Sequence, residues 1–148
     1  MSYTHTYQVN LDWQRDRQGI LYAQDLHQKL DVATPPPFPK GVEGTWSPEH
    51  LFTAAVSSCL MTTFLAIAEN SKLEFESFSC AAEGILGQEE GKYKMTEIIL
   101  KPELVIKREE DRAKAERVLQ KAEAACLISN SINSKVLMQT SIQVGMLA

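Results

Sequence analysis

The sequence is most telling in what it holds little of. Histidine occurs three times, at positions 5, 27 and 50, with no His-x-x-x-His or Cys-x-x-Cys spacing, so nothing in it reads as a zinc centre. There is no Gly-x-Ser-x-Gly elbow and no phosphate-binding glycine loop, which removes the commonest serine hydrolase and nucleotide-binding readings. Basic residues are outnumbered, the formal net charge being −4. Phosphate binding needs a clustered basic face, so nucleic acid is set aside as a partner. The longest apolar run, Leu51 to Ala68, is interrupted by Thr53, Ser57, Ser58, Thr62 and Thr63, and reads as a core helix rather than a bilayer span. Residues 1–7 lack the basic and apolar stretches of a secretory signal, which predicts a cytoplasmic protein, with no membrane as partner.

What is present fits one compact domain over residues 1–148, long enough to bury roughly two thirds of its unfolded surface. Alternating Tyr3, Tyr7, Val9, Leu11 and Trp13 predict a first strand from Tyr3 to Trp13, followed by a turn at Arg15–Gly19. Ile20–Ala23 and Lys29–Ala33 read as two short strands. Prolines 35, 36, 37 and 39 exclude a regular element before Gly41. Ser47-Pro48-Glu49 is a helix start, and the helix is expected to reach about Asn70. Phe75–Leu86 and Lys92–Lys107 form a hairpin about a Gly87–Gly91 turn, Glu109–Cys126 a second helix, and Lys135–Val144 a final strand. That order predicts an α+β fold rather than regular βα alternation.

Two of the three cysteines draw attention. Cys59 lies in the first helix and Cys126 ends the second, each among small or apolar residues. In a reducing compartment such a pair points to redox chemistry rather than a staple. Cys80 alternates with Phe78 and Ala82 in a strand and reads as a small buried hydrophobe. Cys59 stands twelve residues past Ser47, roughly 18 Å along the axis, whereas a helix-end field fades within about one turn, so the dipole does not activate it. An arginine does so better, being charged at every relevant pH. Arg15 and Arg17 are the only arginines before position 108; Arg17 is preferred, with Arg15 the alternative. Glu49 suits the task of orienting such a group. It lies about 15 Å along a straight helix from Cys59, so either the helix start bends or Glu49 comes from another subunit. Cys126 is the natural resolving thiol, because a sulfenic acid condenses readily with a nearby second thiol. His50, nine residues before Cys59, falls about 180° around the helix and reads as a polar first-turn residue, not a base.

The Ser47-Pro48-Glu49-His50-Leu51-Phe52 start, Ser58-Cys59 eleven residues after the proline, and Ala125-Cys126-Leu127-Ile128-Ser129-Asn130 resemble the OsmC/Ohr family of osmotically induced and organic hydroperoxide resistance proteins. The resemblance covers almost the whole chain. It implies curved antiparallel sheets around two long helices, in an intertwined homodimer with active sites at the interface. It also implies a thiol peroxidase that reduces organic hydroperoxides, with hydrogen peroxide a further candidate. Cys59 would attack the O–O bond, Arg17 hold its thiolate, Glu49 hold the arginine and Cys126 close a disulfide. No bound cofactor is implied; an external dithiol such as dihydrolipoamide would be the reductant. The family's hydroperoxide branch usually has Pro after the second cysteine where this chain has Leu127, and the proline loop leaves Lys40 as a rival cation. Leu51, Phe52, Val56, Leu60 and Phe64 are expected near the site, favouring a hydrophobic peroxide. The rival reading is a non-catalytic dimeric stress-protection module that binds a hydrophobic ligand; a cysteine acyl-transferring hydrolase ranks third, for want of a base.

Overall fold

A computed structural model describes residues 3–145. The chain divides into two compact units, residues 1–51 and 52–148, with the boundary inside the first helix.

The first unit is built on a three-stranded antiparallel sheet, β1 (Asn10–Arg15), β2 (Gln18–Tyr22) and β3 (Leu30–Ala33), in that order. The strand expected from Tyr3 begins only at Asn10. Residues 3–9 alternate correctly but have no β2 partner beyond the Asn10–Tyr22 pair, and Tyr3, Tyr7 and Val9 are exposed. The β1–β2 turn is tighter than expected, because Asp16 adopts a positive φ and its carbonyl accepts from the Trp13 indole N–H. The proline-rich stretch that follows forms turns, one of which places Lys40 at φ 62°.

Helix α1 (Pro48–Asn70) starts as its residues dictate. Ser47, fully buried, accepts the backbone N–H of His50 at 3.1 Å, and Pro48 takes the first helical position, where no amide is needed. The helix ends in a two-bond C-terminal cap: Leu73 N–H donates to Ala68 O and Lys72 N–H to Glu69 O, with Lys72 in the left-handed region.

The second unit centres on a long hairpin of β4 (Phe75–Glu89) and β5 (Lys92–Ile106). Its turn is the two residues Glu90-Gly91, both at positive φ, which suits the strand twist, so β4 runs three residues beyond the expected Leu86. Alternate β5 residues Ile98, Leu100, Leu104 and Ile106 enter the core. A 3₁₀ turn over Glu109–Asp111 leads into α2 (Arg112–Ala125), which buries Ala115, Val118, Leu119 and Ala122 on one face. From α1 come Val56, Leu60, Phe64 and Ala68; Phe64 stacks on Phe78 at 4.8 Å and meets Phe75 edge-on.

The expected final strand is two, β6 (Lys135–Met138) and β7 (Ser141–Val144), both pairing with β5. They pair in parallel, so this second sheet is mixed, whereas the first is wholly antiparallel. The break falls opposite Lys101-Pro102, where proline has no amide to give the ladder. The α+β class stands.

Candidate functional site

Cys59 projects from the middle of α1 and Cys126 is the residue at which α2 stops, its backbone turning extended at ψ 111°. Both are buried and both are free thiols. Helical spacing explains the meeting. Cys59 lies beside Val56 and Leu60 on the inward stripe of α1, and Cys126 extends the α2 stripe of Ala115, Val118, Leu119 and Ala122 by one more turn. Two stripes that bury against one core bring their cysteines near enough to shift each other's ionisation.

The two sulfurs sit in unlike surroundings. Burial pushes the Cys59 thiol up, but hydrogen bonds from the Cys126 thiol, the Ile128 amide, the Thr63 hydroxyl and the Leu127 amide outweigh it, and its pKa falls below the ordinary thiol value. Burial also pushes the Cys126 thiol up; the bond to Cys59 adds to that, the Ser129 hydroxyl and amide oppose it, and the net direction is upward. The pair is therefore polarised: Cys59 gives up its proton more readily than Cys126. Low thiolate pKa marks a reactive sulfur, and a protonated neighbour is ready to act as second thiol.

The donors on Cys59 come from the turn after α2. Asn130 N–H donates to Cys126 O, Asn130 Nδ2 to Ala124 O and Ser131 Oγ to Leu127 O, which pin residues 126–131. A 3₁₀ turn at Ser129–Ser131 completes the segment. Sequence reasoning looked for a cation and missed these neutral donors; the Ser129-Asn130-Ser131 run of turn-forming residues directly behind Cys126 was their signal.

Arg17 and Glu49 belong to the first unit. Arg17 lies at the β1–β2 turn and lines a cavity of about 410 Å³ with Leu11, Trp13, Val32 and Pro48. Glu49 is half-buried in the first turn of α1. His50 shares a 2.6 Å contact between its Nδ1 and Ser47 Oγ and has the Trp46 ring edge-on, consistent with a first-turn residue tied to its cap. Cys80 packs against the core, with its thiol raised by burial. Val56, Leu60 and Phe64, expected beside a substrate, are fully buried in the core; among the described residues the exposed large apolar side chains of this unit's helices and turn are Met61, Leu65 and Leu127. Among the described residues no group of three or more His, Cys, Asp or Glu side chains gathers in ligating range.

A family model described as OsmC-like protein matches residues 41–141. The chain is 27% identical over 146 residues to the uncharacterized protein YmaD of Bacillus subtilis, covering 95% of this chain and 97% of that one. Among solved structures, an OsmC-like protein of unknown function from Vibrio cholerae aligns with a TM-score of 0.83 at 27% identity, over 93% of this chain and 99% of its own. An organic hydroperoxide resistance protein OsmC from Legionella pneumophila aligns at 0.72 with 25% identity, over 95% and 100%. The organic hydroperoxide resistance protein OhrB of Bacillus subtilis aligns at 0.67 with 19% identity, over 94% and 98%, a likeness of fold.

Proposed function

The chain belongs to the OsmC-like protein family, and from that premise we propose that it is a cytoplasmic, homodimeric, thiol-dependent peroxidase acting on organic hydroperoxides, with hydrogen peroxide a poorer substrate. The observation that carries this reading is the polarised contact between Cys59 and Cys126.

The chemistry balances with two thiols and no bound cofactor. The Cys59 thiolate attacks the outer oxygen of ROOH, the O–O bond breaks, the hydroxyl stays on sulfur as Cys59 sulfenic acid, and the alkoxide leaves and takes a proton from water to become ROH. The Cys126 thiol displaces hydroxide from that sulfur, and its proton leaves as water with the disulfide. A dithiol such as dihydrolipoamide then reduces the disulfide by exchange and is itself oxidised. Arg17 is assigned as the cation beside the thiolate and Glu49 as the carboxylate that orients it. A homodimer supplies the latter economically, since α1 is one continuous helix and Glu49 of the partner subunit is free of the roughly 15 Å rise that separates Glu49 from Cys59 within one chain.

Two features support the dimer and the substrate class. Between Phe52 and Ala68, α1 has no charged residue, yet it exposes Met61 and Leu65, a face suited to a second copy. Leu127, 66% exposed beside the sulfur pair, offers an apolar contact to a hydrophobic peroxide. Titration of the reduced protein with cumene hydroperoxide tests the reading. One equivalent should remove two of the three thiols within minutes, and peptide mapping should find Cys59 joined to Cys126. Slow oxidation spread over all three cysteines would favour a ligand-binding module instead.

A further inference from the structure

Two threonines follow Cys59 on α1, three and four residues on, and their hydroxyls go to different places. Thr62 Oγ1 donates to the Cys59 carbonyl at 3.1 Å, the local back-bond that threonine makes inside helices. With that carbonyl taken up, Thr63 Oγ1 is directed to the sulfur itself, at 3.9 Å from Cys59 Sγ. One helical turn separates the two residues, so the helix geometry alone fixes this pairing. From the other helix, the segment leaving α2 brings the consecutive amides of Leu127 and Ile128 to the same sulfur. Successive N–H groups in a tight turn form a concavity suited to an anion. Asn130 and Ser131 hold that turn through their bonds to Ala124 O and Leu127 O.

We propose that Thr63 and the 127–131 turn form a cradle for the Cys59 thiolate, in which Thr63 is a positioning residue that keeps the sulfur ionised and aimed. The side chain of Cys126, at the end of α2, is the titratable group that acts on Cys59 within this unit, and the other donors are an uncharged hydroxyl and two amides. Hydrogen bonds of this kind favour the charged form without adding a titration of their own. The cradle therefore holds its effect across the whole range in which Cys59 ionises. It deepens the peroxidase reading, because it concerns the ionisation that reading requires.

The test uses the full chain carrying Cys80→Ser, reduced, with iodoacetamide as probe and peptide mass to follow Cys59 alone, between pH about 5 and about 10. Thr63→Val keeps the shape and removes the hydroxyl. It should move the alkylation midpoint upward and slow the reaction near neutral pH by about 3- to 10-fold, with the high-pH plateau kept. Thr63→Ser should restore the parent profile. A profile unmoved in Thr63→Val, or moved as far in Thr63→Ser, overturns the proposal. Should circular dichroism show Thr63→Val unfolded, Ser131→Ala, at an exposed residue, carries the test through the turn: an upward midpoint supports the cradle and an unchanged one overturns it. Peroxide-driven thiol loss in the unsubstituted protein is scored separately. A shifted alkylation profile with no peroxide reaction would leave the cradle standing and remove the peroxidase reading; the reverse result would do the opposite.

Discussion

Cys59, in mid-helix, and Cys126, the residue that ends the second helix, act on each other's ionisation: the Cys126 thiol lowers the pKa of Cys59, and Cys59 raises that of Cys126. One thiol is thereby lowered and the other raised, so the two cysteines are chemically unequal before any oxidant arrives. The fold makes them so, by directing the amides of Leu127 and Ile128 at one sulfur and burying the other completely.

Unequal roles predict unequal variants. Cys59→Ser should lose peroxide-dependent oxidation entirely. Cys126→Ser should still react with peroxide but form no disulfide, since no second thiol traps the sulfenic acid, which excess peroxide oxidises further. Intact mass should show gains of about one and then about two oxygens on the Cys59 peptide. Equal behaviour of the two variants would remove the division of labour.

The pH dependence follows from the directions of the two shifts. Cys59 is lowered and Cys126 raised from the ordinary thiol value. As pH rises, Cys59 ionises first and Cys126 only above the usual thiol range. Alkylation by iodoacetamide at neutral pH should therefore label Cys59 well ahead of Cys126. In stability the two work against each other. Cys59 contributes stability that is lost as pH falls through its folded pKa, while Cys126 contributes stability that is lost as pH rises through its own. Peptide mapping at several pH values checks the order of labelling.

The first helix was legible to the residue because its signals are local: Ser47 as cap, Pro48 at the first position, and no helix breaker before Asn70. Apolar periodicity, which places residues on faces, put Cys126 on the buried face that Ala115, Val118, Leu119 and Ala122 share. Pairing partners were harder. Nothing within residues 135–144 says that the strand breaks at Gln139-Thr140, opposite Pro102 far away in sequence, or that it runs parallel to β5. Residues 3–9 have the strand alternation without a strand to pair with. The donors on Cys59 were missed for the same reason: backbone amides carry no signature in the sequence, only the turn that aims them does.

Arg17 is separable from Lys40 by substitution. Arg17→Gln should slow peroxide-dependent thiol loss by about tenfold or more, because a cation beside a thiolate is worth at least one pKa unit. Lys40→Gln, in the proline-rich turn region, should leave the rate within about twofold. The converse result would transfer the role to Lys40, and a null effect of both would leave Arg15 to be tried.

Gly84 gives a prediction about packing rather than chemistry. It sits on β4, and a Cβ built there overlaps the Thr53 hydroxyl of α1 and comes within 2.8 Å of Met95 Cε. Met95 is a flexible chain end and can move; Thr53 is β-branched and fixed on the helix. Gly84→Ala should therefore cost about 1–3 kcal/mol, lowering the melting temperature by roughly 2–4 °C for each kcal/mol. Thr53→Ala removes the hydroxyl that the new methyl meets. In the double variant the cost of Gly84→Ala should fall by at least half, a coupling that thermal melts of the four proteins measure directly. Additive losses would show that the helix yields to the strand, and that Gly84 is not what sets their separation.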